Sequence, residues 1–327
     1  MTKQIQGKKV LVTGGAGFIG SGLIESLLES GNQVTCLDNF LTGKHENVVA
    51  FMNNGNFRMI EGDIRDTETC RKATAGMDIV FHEAALGSVP RSVVDPVTTV
   101  DINIGGFVKM LFASKEAGVK RFIYAASSSV YGDNQRMPKI EEETGRQLSP
   151  YAVSKYANEL FAENFSSVYG IEVVGLRYFN VFGRRQDPEG PYAAVIPKFL
   201  KSLKLHRQPV INGNGTISRD FTYIDNVIQA NHLAATTENR AALNSVYNIA
   251  CGERMTLTRA FELTREYSGK YDRSVLAIEP IYGPDRAGDI QHSQASIEKA
   301  RTNLGYVPLF DAENGLKETV DWFWKNM

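Results

Sequence analysis

The stretch Val10-Leu11-Val12-Thr13-Gly14-Gly15-Ala16-Gly17-Phe18-Ile19-Gly20 decides the fold of this 327-residue chain. Its first residues are a short apolar run of the kind a buried strand carries. Phe18 to Ser30 then shows the apolar spacing of a helix, stopped at Gly31. Between the two, Gly14, Gly17 and Gly20 stand three residues apart. Glycines at a strand-to-helix turn let the backbone bend sharply and approach a pyrophosphate, which is drawn to the positive helix end. A glycine triplet alone is a weak signal. Directly after a strand and at the mouth of a helix, it points to a dinucleotide.

The pattern continues outward. Val34 to Asp38 is predicted as a second strand, ending on a carboxylate 18 residues beyond Gly20 (38 minus 20). A carboxylate there accepts hydrogen bonds from the adenosine ribose and repels a 2′-phosphate, which favours NAD over NADP. Asp63 follows a third strand at Phe57 to Glu61, placed either to meet the adenine or to open the next helix as an N-terminal acid. Ile79 to His82, Arg121 to Ala126 and Glu172 to Arg177 read as further strands, with helices that include Asn103 to Ala117 and Tyr151 to Tyr169. This alternation predicts an α/β fold, a doubly wound parallel Rossmann sheet. After about Asn180 the pattern loosens, and Arg184 to Pro191 is turn-rich. Residues 1–180 are expected to form the NAD-binding Rossmann domain. Residues 181–327 are expected to form a smaller C-terminal α/β substrate lobe that returns some segments to the first domain.

Composition narrows the function classes. Lysine plus arginine number 36 against 37 acids, a formal net charge of -1, which argues against nucleic-acid and membrane-surface partners. No apolar run approaches the roughly 20 residues a spanning helix needs. Met1 to Lys9 is short and polar, unlike a secretory signal. Cys36, Cys70 and Cys251 are scattered, with no disulfide framework or metal spacing, and the expected location is the cytoplasm. His82, at a strand end, reads as a packed side chain. His45, His206, His232 and His292 have no metal-site spacing, so no metal is expected. Trp322 and Trp324 read as packing residues of a C-terminal helix.

The chemistry centres on Tyr151 and Lys155, four apart and so on one face of a helix that opens with Ser149-Pro150. A phenol with an ordinary pKa of about 10 is a poor base at neutral pH. A neighbouring ammonium and a positive nicotinamide ring would both favour phenolate. A serine run, Ser127-Ser128-Ser129, sits at a strand end in the same unit.

Together these pieces resemble the extended short-chain dehydrogenase/reductase family along essentially the whole chain. The loop Thr13 to Gly20 matches the family's Thr-Gly-x-x-Gly-x-x-Gly pattern. The resemblance implies that Tyr151, Lys155 and Ser127 are the catalytic group, with Ser128 sharing the serine's role. It also assigns Phe18, Ile19, Asn39, Gly43, Ile64, Ala84, Ala85, Asn103 and Tyr178 to the cofactor. Relatives that dehydrate or decarboxylate nucleotide sugars carry acidic residues beside the catalytic serine. Here the segment runs Ser127-Ser128-Ser129-Val130-Tyr131-Gly132 with no carboxylate. A site with a hydride acceptor, one base and no second acid suits removal and return of the same hydride, which is 4-epimerisation.

Within the family, the chain is similar to UDP-hexose 4-epimerases and most similar to bacterial UDP-N-acetylglucosamine 4-epimerases. That resemblance implies that Arg219 and Arg286 clamp the diphosphate, two guanidinium forks suited to it. It implies that Asn180 and Asp289 contact the same ligand and that Ile211-Asn212 hold the uracil. Ser293 stands seven residues after Arg286 (286 plus 7), where galactose-type relatives often place a bulky tyrosine. A small residue there leaves room for a 2-N-acetyl group, and Ala193-Ala194-Val195 also departs toward small residues. Ser88 is placed either to hydrogen-bond the sugar or to cap a helix. The implied reaction is reversible interconversion of UDP-GlcNAc and UDP-GalNAc through a rotating 4-keto intermediate, with UDP-Glc and UDP-Gal as poorer substrates. NAD would be retained between turnovers, in a homodimer. A dehydratase or decarboxylase on the same sugars, or a non-enzymatic NAD sensor, remain the other readings.

Overall fold

The computed structural model describes residues 4–189, 193–284 and 291–327. Its centre is a sheet of seven parallel strands. In chain order these are β1 Lys9–Thr13, β2 Gln33–Asp38, β3 Phe57–Glu61, β4 Ile79–His82, β5 Arg121–Ser127 and β6 Glu172–Tyr178, with a seventh at Ser245–Ile249. Between β6 and that seventh strand lie two-stranded pairings described below, so it is β11. The spatial order is β11-β6-β5-β4-β1-β2-β3. Strands buried on both faces are rich in apolar residues: Val10, Leu11 and Val12 of β1 are all fully buried.

Helices cover both faces. On one side α1 (Phe18–Glu29) packs its Leu23, Ile24 and Leu27 against the sheet. On the other lie α2 (Thr67–Thr74), the short α3 (Val89–Val94) and α4 (Pro96–Val100), α5 (Phe107–Glu116) and α6 (Pro150–Tyr169). The sequence dictates the ends of α6. Ser149 accepts a hydrogen bond from the Ala152 N–H, Pro150 occupies the first turn, and Gly170 closes the helix in the left-handed conformation at φ 73°.

One expectation needed correcting. The helix predicted from Asn103 to Ala117 begins as a π-turn, Asp101–Gly106, before α5. Gly106 lies hard against Ile64, where a Cβ would come within 2.5 Å. The widened turn sends Asn103 inward, and its side chain ties Leu86 to Ser154.

Beyond β6 the chain is built of short elements: β7 Val181–Phe182, α7 Val195–Lys204, β8 Val210–Asn212, β9 Ser218–Arg219, β10 Thr222–Tyr223 and α8 Ile224–Thr236. After β11 come β12 Met255–Thr256, α9 Leu257–Ser268, β13 Ile281–Gly283, α10 Glu298–Leu304 and α11 Ala312–Asn326. The small pairings are β7 with β10, β9 with β12, and β8 with β13. Two of these later segments return to the sheet. β11 pairs in parallel with β6, and α8 packs beside α1 on the same face. Buried Arg121 of β5 fastens α8 by donating to the carbonyls of Ala234, Ala235 and Thr237 at its C-terminal end. Trp324 of α11 stacks on Tyr271 at 5.8 Å and donates its Nε1–H to Ser268.

A second buried arginine joins α6 to the sheet. The Arg177 guanidinium grips both oxygens of Glu159 at 2.9 and 2.7 Å and donates to the Tyr131 hydroxyl and the Glu141 carbonyl. Both charges are nearly out of reach of water, so the pair holds only while both partners are present. Arg177→Met is expected to destabilise the protein by about 3–5 kcal/mol, since it strands the Glu159 carboxylate. Urea unfolding measures this; a loss below about 1 kcal/mol would show the pair to be dispensable.

Candidate active site

The carboxyl ends of the strands open onto a cavity of about 540 Å³, at the point where the strand order reverses between β1 and β4. Its walls include Gly14, Gly17, Phe18, Ile19 and Gly20 of the glycine loop, Asp38 and Asn39 after β2, and Asp63 and Ile64 after β3. Ala84 and Ala85 after β4, Ser127 and Ser128 at the end of β5, Tyr151 and Lys155 of α6, Tyr178 at the end of β6 and Asn180 just beyond it complete the expected set on these walls.

The glycine loop is shaped by close approach. Gly14 has φ +67°, and a Cβ on it would stand 2.7 Å from the Ala84 backbone; a Cβ on Gly20 would stand 2.2 Å from the Gly14 carbonyl oxygen. Gly17 caps α1 without a side-chain hydrogen bond, and no acid occupies the first turn. The first N–H groups are thus left for an anionic ligand. The Asp38 carboxylate braces the loop, accepting from the N–H groups of Ala16 at 2.9 Å and Phe40 at 2.8 Å. Burial raises its pKa, and those N–H donors oppose the rise. A dinucleotide with a free 2′-hydroxyl fits this cradle, whereas a 2′-phosphate would meet the carboxylate. Gly43 is not on the cavity wall. It passes behind the loop, where a Cβ would lie 2.9 Å from Ala16 and from Asp38.

Asp63 does not open the next helix. The helix cap is Asp66, which accepts from Glu68 and Thr69. Asp63 lines the cavity, but its oxygens are taken by Arg65 at 3.0 and 2.8 Å and by Asn39 at 2.7 Å. The Arg65 hydrogen bond pulls its pKa down to about 2. Asn103, as described, faces Leu86 and Ser154 and not the cavity. Ser88 is the N-cap of α3, accepting from the Arg91 N–H at 3.2 Å. Of its two readings, the cap is the one on view.

The expected catalytic side chains do converge. Burial pushes the Tyr151 phenol pKa up, and the neighbouring Ser127 hydroxyl opposes the rise. Lys155, 3% exposed, donates to the Ala125 carbonyl at 2.7 Å, and its nitrogen stands 6.0 Å from the Tyr151 ring centre. Burial pulls its pKa down to about 8, against the carboxylates of Glu83 and Glu159. The Ser127 hydroxyl also accepts from the Ser129 N–H, fixing the turn that follows β5.

Glu83 overturns the expectation of a site with no second acid. It lines the cavity just after β4 and accepts a 2.8 Å hydrogen bond from the Tyr178 hydroxyl. Sequence reading passed over it as one charge between a buried strand and two alanines. Reading Arg184 to Pro191 as a turn also hid Arg185, Gln186 and Asp187, which line the cavity. Arg185 grips Glu25 of α1, and Asp187 meets Lys44 at 2.9 Å across the cavity mouth.

The remaining expected residues sit apart from this cavity. Arg219 donates to the carbonyls of Ser218 at 3.0 Å and Gln291 at 3.3 Å. The backbone of Ser293 bonds to Ser218 at 3.1 Å, so Arg219 and Ser293 lie on adjacent segments. Buried Asp220 binds these segments together, accepting from the N–H groups of Cys251, Gly252 and Ala295. The Asn180 side chain donates to the Asp220 carbonyl. Ile211 and Asn212 lie in β8, while Ala194 and Val195 open α7. Arg286 and Asp289 lie outside the described residues. Among the described residues no group of three His, Cys, Asp or Glu side chains could hold a metal, and no helix is long and apolar enough to cross a membrane.

Residues 10–250 match the NAD dependent epimerase/dehydratase family, and the chain belongs to it. NAD is accordingly its cofactor. The UDP-N-acetylglucosamine 4-epimerase from Methanobrevibacter ruminantium M1, solved in complex with UDP-N-acetylmuramic acid, is 40% identical, covers 99% of this chain and 100% of its own, and superposes with a TM-score of 0.90. The UDP-glucose 4-epimerase of Thermotoga maritima, solved with UDP-glucose, is 38% identical over 97% of this chain and 99% of its own, with a TM-score of 0.89. The UDP-glucose 4-epimerase of Mycolicibacterium smegmatis is 34% identical over 96% of this chain and 98% of its own.

Gly20→Ala is expected to weaken NAD binding at least about tenfold, a cost of about 1.4 kcal/mol, because the new Cβ collides with the Gly14 carbonyl and forces the loop away from α1. Calorimetric titration with NAD measures it. An unchanged affinity in a folded variant would show that the loop is not the mount.

Proposed function

We propose that this protein is a UDP-sugar 4-epimerase that interconverts UDP-N-acetylglucosamine and UDP-N-acetylgalactosamine through a 4-keto intermediate. The observation that carries the reading is the convergence of Ser127, Tyr151 and Lys155 on one wall of a cavity fitted to NAD. When bound, NAD supplies a reversible hydride acceptor. Tyr151 takes the proton of the sugar 4-hydroxyl and later returns it, while Ser127 holds the same oxygen. No acid follows Ser127 to expel a hydroxyl, which a dehydratase on this scaffold would need, and Glu83 is engaged by Tyr178.

Similar proteins are named for different sugars, so the choice of sugar rests on the chain's own residues. Ser293 is small and lies on the segment next to Arg219; the resemblance to galactose-type epimerases, which often carry a bulky tyrosine at that position, makes it the place where a 2-N-acetyl group would need space. We assign residues 1–180 to the cofactor and 181–327 to the nucleotide sugar, with Arg219, Arg286, Asn180 and Asp289 on its diphosphate side. Retention of NAD between turnovers is supported by the Arg185–Glu25 link, which ties the segment after β7 to α1 beside the cavity. A homodimer through α5 and α6 is supported by apolar side chains left exposed on α6, among them Val153, Leu160, Phe161 and Val168.

Incubation with UDP-GlcNAc, followed by NMR, is expected to yield UDP-GalNAc without added NAD after dialysis. Good turnover of UDP-glucose with none of UDP-GlcNAc would sink the sugar assignment, and dependence on added NAD would sink retention. Ser293→Tyr is expected to lower kcat/KM for the acetylated sugars by about tenfold or more while largely sparing UDP-glucose. Equal loss on both would refute the steric argument. Sedimentation should give twice the 36.2 kDa chain mass, and Phe161→Glu should shift it to the monomer. A parent protein that sediments as a monomer rules the dimer out.

A further inference from the structure

Asp220 directly follows Arg219, the last residue of β9. Neighbours along an extended chain point to opposite sides, and here Asp220 is fully buried while Arg219 is half-buried. Three backbone donors converge on the buried carboxylate. The Cys251 N–H reaches Oδ1 at 2.9 Å, and those of Gly252 and Ala295 share Oδ2 at 3.1 Å each. Gly252, at φ +79°, turns its N–H to the same side as that of Cys251.

These donors come from separate parts of the chain. Cys251 and Gly252 follow β11 of the central sheet. Ala295 stands two residues past Ser293 (295 minus 293). The Ser293 N–H donates to the Ser218 carbonyl at 3.1 Å, and the Gln294 side chain donates to the Gly252 carbonyl at 2.8 Å. On its backbone side, the Asp220 carbonyl accepts from the Asn180 side chain at 3.1 Å, and the Thr222 N–H donates to the Asn180 carbonyl at 3.3 Å. Asn180 lines the cofactor cavity. One residue therefore joins the cavity wall, the end of β11 and the segment that carries Ser293. An ionised carboxylate suits that joint because it only accepts. An amide in its place would turn an NH2 toward at least one of the three N–H groups, leaving a buried donor unpaired.

We propose that Asp220 is a positioning residue for the nucleotide sugar: its carboxylate fixes Arg219 and Ser293 in register with Asn180 on the cofactor cavity. This rests on, and deepens, the reading of Arg219 as a diphosphate clamp. Asp220 acts through these neighbours, from behind the surface that meets the ligand. The glycine loop is held by other contacts, those of Asp38 and Ala84, so loss of the joint falls on UDP and spares NAD.

Calorimetric titration of the full chain with UDP and, separately, with NAD tests this. Asp220→Asn keeps the side chain's shape and removes its charge. It is expected to weaken UDP binding about tenfold or more while NAD affinity stays within about twofold. KM for UDP-GlcNAc should rise with it and kcat fall less than about threefold, the split that follows when binding common to ground and transition states is lost. Unchanged UDP affinity in the folded variant overturns the proposal. So does an equal loss for UDP and NAD, which would make Asp220 a brace of the fold as a whole. If the variant does not fold, amide hydrogen exchange in the parent protein, read by NMR, decides. Saturation with UDP should slow exchange at Gly252 and Ala295, whose N–H groups face Asp220, about tenfold more than at the amides of α2. Equal slowing at both places is fatal. Arg219→Gln reports separately: full UDP affinity there removes the clamp, and the proposal with it, whatever Asp220→Asn shows.

Discussion

The carbonyl oxygen of Gly14 lies where any side chain at Gly20 would have to go, and the rest of the site depends on that contact. Because nothing projects from Gly20, α1 can leave β1 at close range and aim its first N–H groups at the cavity. The same economy of space lets Ala84 pass within contact of Gly14, which joins the end of β4 to the loop. The reversal of strand order between β1 and β4 supplies the crevice. The glycines make it narrow enough for backbone groups to do the binding.

Around that crevice the protein places its charges unevenly. The deep pair Arg177–Glu159 is closed on itself and ties α6 to β6. Arg121 likewise finds carbonyls and Glu172 for its donors. Asp220 accepts three backbone N–H groups and gathers the segments that carry Arg219 and Ser293. These settled charges hold elements in register. The unsettled ones, Glu83 and Lys155, face the cavity. That is the arrangement expected where a proton has to change hands: structure is secured by saturated groups, and chemistry is left to groups that a neighbour can still influence.

Much of this was legible in the sequence, for reasons particular residues make plain. Gly14 to Gly20, Asp38 and the Tyr151–Lys155 pair act through local geometry, a turn, a strand end and a helical repeat, and each lines the cavity as expected. The Rossmann sheet was legible because apolar residues dominate its buried strands, above all in β1. What escaped depends on partners distant in the chain. Glu83 gains its meaning from Tyr178, 95 positions later, and Lys44 from Asp187, 143 positions later. Asn103 was placed at the cofactor, yet it lies in a π-turn, Asp101–Gly106, and its side chain donates to Ser154. Asp63 had its competitor in plain view at Arg65, but only the folded side chain shows that the two close on each other.

The returning segments β11 and α8 carry a consequence for motion. β11 is hydrogen-bonded along β6, and α8 is pinned at its end by Arg121 from the middle of the sheet. The later half of the chain is therefore stitched into the earlier half at two places. It cannot swing as a separate jaw without tearing a strand from the sheet. The lighter links lie beside the cavity, where segments 39–47 and 183–189 meet through Lys44 and Asp187, half-exposed side chains whose ion pair is cheap to break. The two halves thus share one sheet, and the weakest links beside the cavity are those between side chains of its bordering loops.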